Sequence, residues 1–147
     1  MSLANLNYLL ITYFDANNPL QAMSKLKAMI KTVRMTRFIV SYLAPIDDTW
    51  KTQESTPEEM EAGMKAWMEW AQKCGDNLVD MGSPLGKGIT VRPGGKKADS
   101  ASEMIGYSIL QADSMDEALG LLVDHPHLNW NAECEIQIHE SLPAPGM

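Results

Sequence analysis

Residues 104–128, with the sequence MIGYSILQADSMDEALGLLVDHPHL, contain the signals that decide the fold. Residues 104–112 are rich in Ile, Leu and Tyr and predict a strand. Ser114 and Glu117 follow at the spacing of a capping box, which predicts a short helix that ends at His125. A strand that runs directly into a helix is typical of a domain that mixes α and β elements.

Three further elements are predicted upstream of this segment. Residues 37–43 alternate as a strand with two apolar faces. Thr56 and Glu59 form a second capping box, which predicts a helix that runs to Cys74, and residues 78–81 predict another strand. The apolar stripe of the helix is expected at Met60, Met64, Trp67, Ala71 and Cys74.

A last strand is predicted at residues 134–139, where apolar and polar residues alternate. The order from residue 37 is then β-α-β-β-α-β, the ferredoxin-like arrangement, in which two helices cover one face of an antiparallel sheet. Residues 89–92 are expected to extend the second strand after a kink, and residues 96–103 to form a mobile polar loop. Because the central strands are apolar on both faces, we expect a homodimer that packs face to face, with the N-terminal segment as the rival cover.

The N-terminal 34 residues form a separate segment by charge. They contain four basic residues and one acidic residue, a net charge of +3, which leaves −10 for residues 35–147. Residues 6–14 predict a strand, and Asn18 and Pro19 begin a basic amphipathic helix. We expect two parts, an extension at residues 1–34 and a domain at residues 35–147, with Met35 as an alternative start.

Composition excludes several classes of protein. The chain has 147 residues, 45% of them hydrophobic, with a net charge of −7. This apolar fraction argues against disorder, and no apolar run reaches the roughly 18 residues of a membrane helix. The negative charge argues against nucleic acid and anionic membranes as partners. Two cysteines without metal spacing and no secretory signal predict a cytoplasmic protein.

His125 and His127 are the candidate catalytic residues. Imidazole exchanges protons near neutrality, with an ordinary pKa of about 6.5, so two histidines around a proline suggest acid/base chemistry. The alternative is that His125 caps the C-terminus of the preceding helix. A third interpretation is a metal site completed by His139 and an acidic neighbour, Asp124 or Glu140.

Several side chains are candidates for ligand binding. Ser41, Asp80 and Tyr107 each place a polar group in an otherwise apolar strand. Met64 and Trp130 are the further ligand-binding candidates, because pockets are lined mostly by apolar side chains. The tryptophans and Tyr42 are otherwise interpreted as core residues, and the 11 methionines as adaptable packing.

Residues 106–128 resemble the YCII-related family, in which a strand of the form G-Y-x-[IL] leads into a D-S-x-D-E-A helix that closes in a His-Pro-His or Asp-Pro turn. The family's first helix is similar to the segment PEEMEAGMKAWMEWA, and its second strand is similar to LVDMGSPL. The resemblance therefore covers residues 36–142. It implies a dimeric α+β barrel with a site between helices and sheet. The histidine of the family's first helix falls on Met64 here, and the aspartate of its turn falls on His125, so that pair is not present in its usual form.

Two functions are compatible with these features. The first is a cytoplasmic dimer that binds a small organic molecule in a helix-sheet cleft, with cofactor-free histidine acid/base chemistry and no metal. The alternative is a non-catalytic ligand-binding or accessory dimer. The absence of the family's acid/base pair favours the second, whereas the two histidines favour the first.

Overall fold

The computed structural model describes residues 18–45 and 55–146, and it divides the chain into two units between Met35 and Thr36. In the first unit, helix α1 spans Pro19–Arg34. The backbone N–H of Gln21 donates to the side-chain oxygen of Asn18 at 3.2 Å, so Asn18 caps this helix as predicted. The strand predicted at residues 6–14 lies outside the described residues. None of the helices in the described ranges is long and apolar enough to cross a membrane.

The second unit is a mixed α and β fold built on an antiparallel sheet. Its described elements are β1 (Thr36–Leu43), α2 (Pro57–Cys74), β2 (Leu78–Asp80), β3 (Ile89–Val91), β4 (Lys97–Asp99), β5 (Met104–Ala112), α3 (Met115–Gly120), α4 (Pro126–Trp130) and β6 (Glu135–Glu140). Four strands form one sheet in the order β2-β5-β1-β6, and every neighbouring pair is antiparallel. Strands β3 and β4 form a separate ribbon.

Helix α2 begins and ends where the sequence predicts. The hydroxyl of Thr56 accepts the N–H of Glu59 at 3.2 Å, and the Glu59 carboxylate accepts the N–H of Thr56 at 2.9 Å. The expected apolar stripe is wrong at its N-terminal end, because Met60 and Met64 are 59% and 61% exposed and Trp70 is buried instead. Trp70 and Cys74 lie about one turn apart and are the buried residues of α2. The indole ring of Trp70 buries more apolar area than a methionine side chain would.

One face of the sheet holds the core. We call it the helix face; its strand residues are Phe38, Val40 and Tyr42 of β1 and Ser108, Leu110 and Ala112 of β5, all buried. Trp70 of α2 and Ala118 of α3 pack on it. The opposite face, here called the second face, carries half-buried residues of the same strands, namely Ile39, Ser41, Leu43, Tyr107 and Ile109.

The ribbon corrects two expectations. Ile89–Val91 does not extend β2 but pairs with Lys97–Asp99, which lies in the stretch expected to be a mobile loop. The chain reverses at Gly94 and Gly95, whose φ angles are 81° and 78°, and this turn returns the second strand to the first. Ile89 and Val91 line an open groove of about 460 Å³ on the ribbon.

Candidate functional site

The turn between α3 and α4 places His125 against the sheet. The hydroxyl of Ser114 accepts the N–H of Glu117 at 3.1 Å, so α3 begins as predicted. The helix ends at Gly120, however, and His125 is the N-cap residue of α4 rather than a C-terminal cap of α3. The physical reason is Pro126, whose ring disfavours the helical conformation in the residue before it and favours a new helix start.

His125 caps α4 with its ring. Its backbone is extended, at φ −62° and ψ 136°, and its Nδ1 accepts the backbone N–H of His127 at 3.1 Å. Serine, threonine, aspartate or asparagine oxygens usually satisfy this first-turn N–H. Because Nδ1 accepts, the proton of the neutral ring lies on Nε2.

A chain of hydrogen bonds runs from His125 across the sheet. Nε2–H of His125 faces the hydroxyl oxygen of Tyr42 at 3.3 Å, and the Tyr42 hydroxyl donates to the Ser108 hydroxyl at 2.7 Å. Ser108 in turn donates to the backbone oxygen of Met81 at 2.8 Å. The direction of every proton is therefore fixed, and the chain ties the α3–α4 turn to β1, β5 and the end of β2.

Aromatic rings close this chain off from solvent. The ring of His125 stacks on Tyr42 at 5.0 Å between centroids and meets the edges of Trp67 and Trp70 at 4.8 and 4.4 Å. His125 is 0% exposed. Burial, with a smaller contribution from neighbouring His127, lowers the pKa of His125 to about 4, and burial raises the pKa of Tyr42 to about 12. Both groups are therefore uncharged near neutral pH.

His127 lies beside this cluster and is also bound. Its Nε2 donates to the backbone oxygen of Leu43 at 2.8 Å, because a carbonyl can only accept. The side chain is 4% exposed and its ring lies 5.3 Å from Tyr42. Both candidate catalytic histidines therefore join α4 to the edge of the core.

The ligand-binding candidates lie in separate places. Ser41 and Tyr107 are register partners on the second face, so they lie on the opposite side of the sheet from His125 and His127. Asp80 is exposed at the end of β2, where its carboxylate accepts the N–H of Gly82 at 2.8 Å. The structure therefore does not gather the predicted residues into one site.

Met64 and Trp130 are on the helix side and are exposed. Met64 precedes Trp67 by one turn of α2, and Trp67 contacts His125. The ring of Trp130 lies 6.4 Å from that of His127. Helices α2 and α4 contact each other, so Met64 and Trp130 are exposed on neighbouring helices.

The metal interpretation lacks a ligand cluster in the described residues, where no three His, Cys, Asp or Glu side chains lie close enough to hold an ion. His139 is the register partner of Ile39 and thus lies on the second face, away from His125 and His127. A scan of the chain against protein-family models found no match, and a search of curated proteins likewise found none.

Sequence reasoning missed Ser108 and the polar role of Tyr42. The available signal was strand parity, since residues 38, 40 and 42 share one face and the polar residue on the matching face of β5 is Ser108. Ser41 and Tyr107 are also polar residues in apolar strands, but parity places them on the other face.

Proposed function

We propose that the chain is a YCII-related, non-catalytic module that binds a small organic molecule on the outer side of α2 and α4. The observation that carries this is the exposure of three large apolar side chains, Met60, Met64 and Trp130, at 59%, 61% and 54%, on two helices that contact each other. We call these three side chains the Met–Trp surface. Exposed thioethers and indoles are typical of adaptable binding surfaces.

The state of His125 favours binding over acid/base catalysis. A general base needs a ring nitrogen within reach of its substrate. In His125 one nitrogen accepts the N–H of His127 and the other faces the hydroxyl of Tyr42, inside a closed set of rings. The hydrogen-bond chain therefore supports a structural role, and the absence of the family's acid/base pair agrees with it.

Binding is tested with the fluorescent probe 8-anilinonaphthalene-1-sulfonate, an apolar organic anion. We expect Met64→Ala and Trp130→Ala to weaken the fluorescence enhancement about threefold or more, because each removes apolar contact area. Leu142→Ala is the matched control, since Leu142 is 73% exposed and lies outside this surface. Equal enhancement by the wild type and both variants would contradict the proposal.

We further propose the ferredoxin-like arrangement for residues 35–147. The strand order β2-β5-β1-β6 supports it, as does the position of α2 between β1 and β2 and of α3 and α4 between β5 and β6. A reducing, cytoplasmic location is part of the same proposal and is supported by the free, buried thiols of Cys74 and Cys134.

The same proposal includes a homodimer that packs through the second face. Ile39, Leu43 and Ile109 give this face apolar residues around Ser41 and Tyr107. We expect light scattering to show a dimer at micromolar concentration and Ile109→Lys to dissociate it. Val91→Lys, on the separate ribbon, is the control and should remain dimeric. A monomeric wild type would exclude this contact.

A further inference from the structure

Strand β6 is an edge strand whose sequence is complementary to itself. It spans Glu135–Glu140 with the sequence EIQIHE, and within the described residues it pairs on one side only, with β1. The other side of an edge strand presents backbone N–H and C=O groups that another strand can pair with. Residues at equal distances from Gln137 are complementary. Ile136 and Ile138 are both apolar, and Glu135 is an acceptor for which His139 can supply a donor.

We propose that a second copy of the chain pairs with this edge, β6 against β6 and antiparallel, with Gln137 on the two-fold axis. Ile136 then lies opposite Ile138 of the second copy, and Glu135 lies opposite His139 of the second copy. Each Glu135 carboxylate accepts a hydrogen bond from an imidazole N–H, and the pairing joins two four-stranded sheets into one. This contact goes beyond the sheet-face dimer and uses a different surface.

The burial of the side chains supports this pairing. Ile136 and Ile138 are half-buried and pack against the core on the helix face, whereas Glu135, Gln137 and His139 are exposed. A neighbouring strand in this register covers the two isoleucines with two more, and it places Glu135 opposite His139 and Gln137 opposite Gln137 of the second copy. The exposed row therefore has a partner of matching chemistry in the same strand of a second copy.

Charge selects the register. A shift by one residue sets Glu135 opposite Glu140 of the second copy and sends the isoleucines to the polar face. Charged residues on edge strands usually prevent pairing, and here the carboxylates do so in every register that brings them together. The register centred on Gln137 avoids this repulsion at both ends. Five residues of each strand, 135–139, pair in this register. This is fewer than a standard interface of about 1,600 Å² needs, so we expect weak association, with a dissociation constant on the order of 10⁻⁴ M.

Cysteine cross-linking of the full chain tests the geometry. Directly opposite residues have α-carbons about 4.5–5.5 Å apart, within reach of a disulfide. We expect Gln137→Cys at about 100 µM to form covalent dimers under mild oxidation. Glu135→Cys is the matched control: in this register it lies four residues from its own copy, roughly 13 Å away, and should not cross-link. Both native cysteines are buried.

A charge swap tests the chemistry independently. In the Gln137→Cys background, His139→Glu places two glutamates opposite each other, and we expect cross-linking to slow about tenfold. Adding Glu135→His restores the pair in reversed order and is expected to restore the rate. The proposal is overturned if Gln137→Cys cross-links no faster than Glu135→Cys, or if His139→Glu leaves its rate unchanged. Adding Ile109→Lys separates the two contacts, because it dissociates the sheet-face dimer but leaves this cross-link intact.

Discussion

Two tyrosine–serine pairs on the same two strands show how much a residue's role depends on the face it occupies. Tyr42 and Ser108 point to the helix face and bond to each other at 2.7 Å. Ser41 and Tyr107 are register partners on the second face, and the described residues give neither hydroxyl a hydrogen bond. We therefore expect the hydroxyls of Tyr42 and Ser108 to stabilise the folded protein more than those of Ser41 and Tyr107.

Removing the Tyr42 hydroxyl is expected to destabilise the protein. Tyr42→Phe removes the donor to the Ser108 hydroxyl and leaves Nε2–H of His125 without an acceptor, at a cost of about 1–3 kcal/mol in the free energy of unfolding. Tyr107→Phe is the matched control and should cost less than about 0.5 kcal/mol. Urea denaturation measures both, and equal losses would show that the hydrogen-bond chain contributes nothing specific.

Acid is expected to weaken the fold through His125. The pKa of His125 in the folded protein, about 4, lies below the ordinary value near 6.5. Between these two pH values the imidazole is protonated in the unfolded chain but neutral in the folded protein. The stabilisation is therefore complete above about pH 6.5 and is lost as the pH falls toward 4. Between pH 7 and 4.5 the wild type should lose about 2 kcal/mol more unfolding free energy than His125→Gln. Parallel pH profiles of the two proteins would contradict this.

At the scale of elements, glycines show where a helix tolerates change and a loop does not. Gly63 lies inside α2, where an added Cβ would meet nothing within 4 Å. Gly82 follows β2 with a φ of +71°, and an added Cβ there would lie 1.8 Å from the backbone oxygen of Tyr107. Gly82 thus allows the chain to cross close to β5.

The two glycine-to-alanine changes are expected to have opposite effects. Gly63→Ala should raise the free energy of unfolding by about 0.5–1 kcal/mol, because alanine loses less backbone entropy in a helix. Gly82→Ala should lower it by about 2 kcal/mol or more, through strain at positive φ and collision with β5. Thermal unfolding of both variants checks this. A stable Gly82→Ala protein would mean that the loop can move away from Tyr107.

At the scale of the whole molecule, the described core belongs to the second unit alone. Every residue of the core cluster lies between Phe38 and Leu122, inside the unit Thr36–Met147. Among the described residues, none of α1 belongs to the helix-face core, to the hydrogen-bond chain or to the Met–Trp surface.

A chain of residues 35–147 is accordingly expected to fold. Circular dichroism should show a cooperative thermal transition, and probe binding at the Met–Trp surface should match that of the full chain. A broad, non-cooperative transition would show that residues 1–34 are needed for the native packing, as they would be if they cover the second face.

The sequence by itself determined the elements whose signals are local. The starts of α2 and α3 follow from Thr56 and Ser114, whose hydroxyls accept backbone N–H groups three residues away. The strands at residues 104–112 and 37–43 follow from their apolar residues. Tertiary structure decided what depends on contacts between distant residues. Trp70 is buried in α2 whereas Met64 is exposed, and residues 97–99 pair as a strand of the ribbon.

The candidate site shows the same limit. The sequence identified His125, but Tyr42, whose hydroxyl it faces, lies 83 residues away along the chain. Ser108, to which Tyr42 donates, lies 17 residues from His125, and only the pairing of β1 with β5 brings Tyr42 and Ser108 together. Local chemistry names the groups that can transfer a proton. Whether a group is accessible depends on which face of the sheet it occupies and on the rings that cover it, and only the tertiary structure determines both.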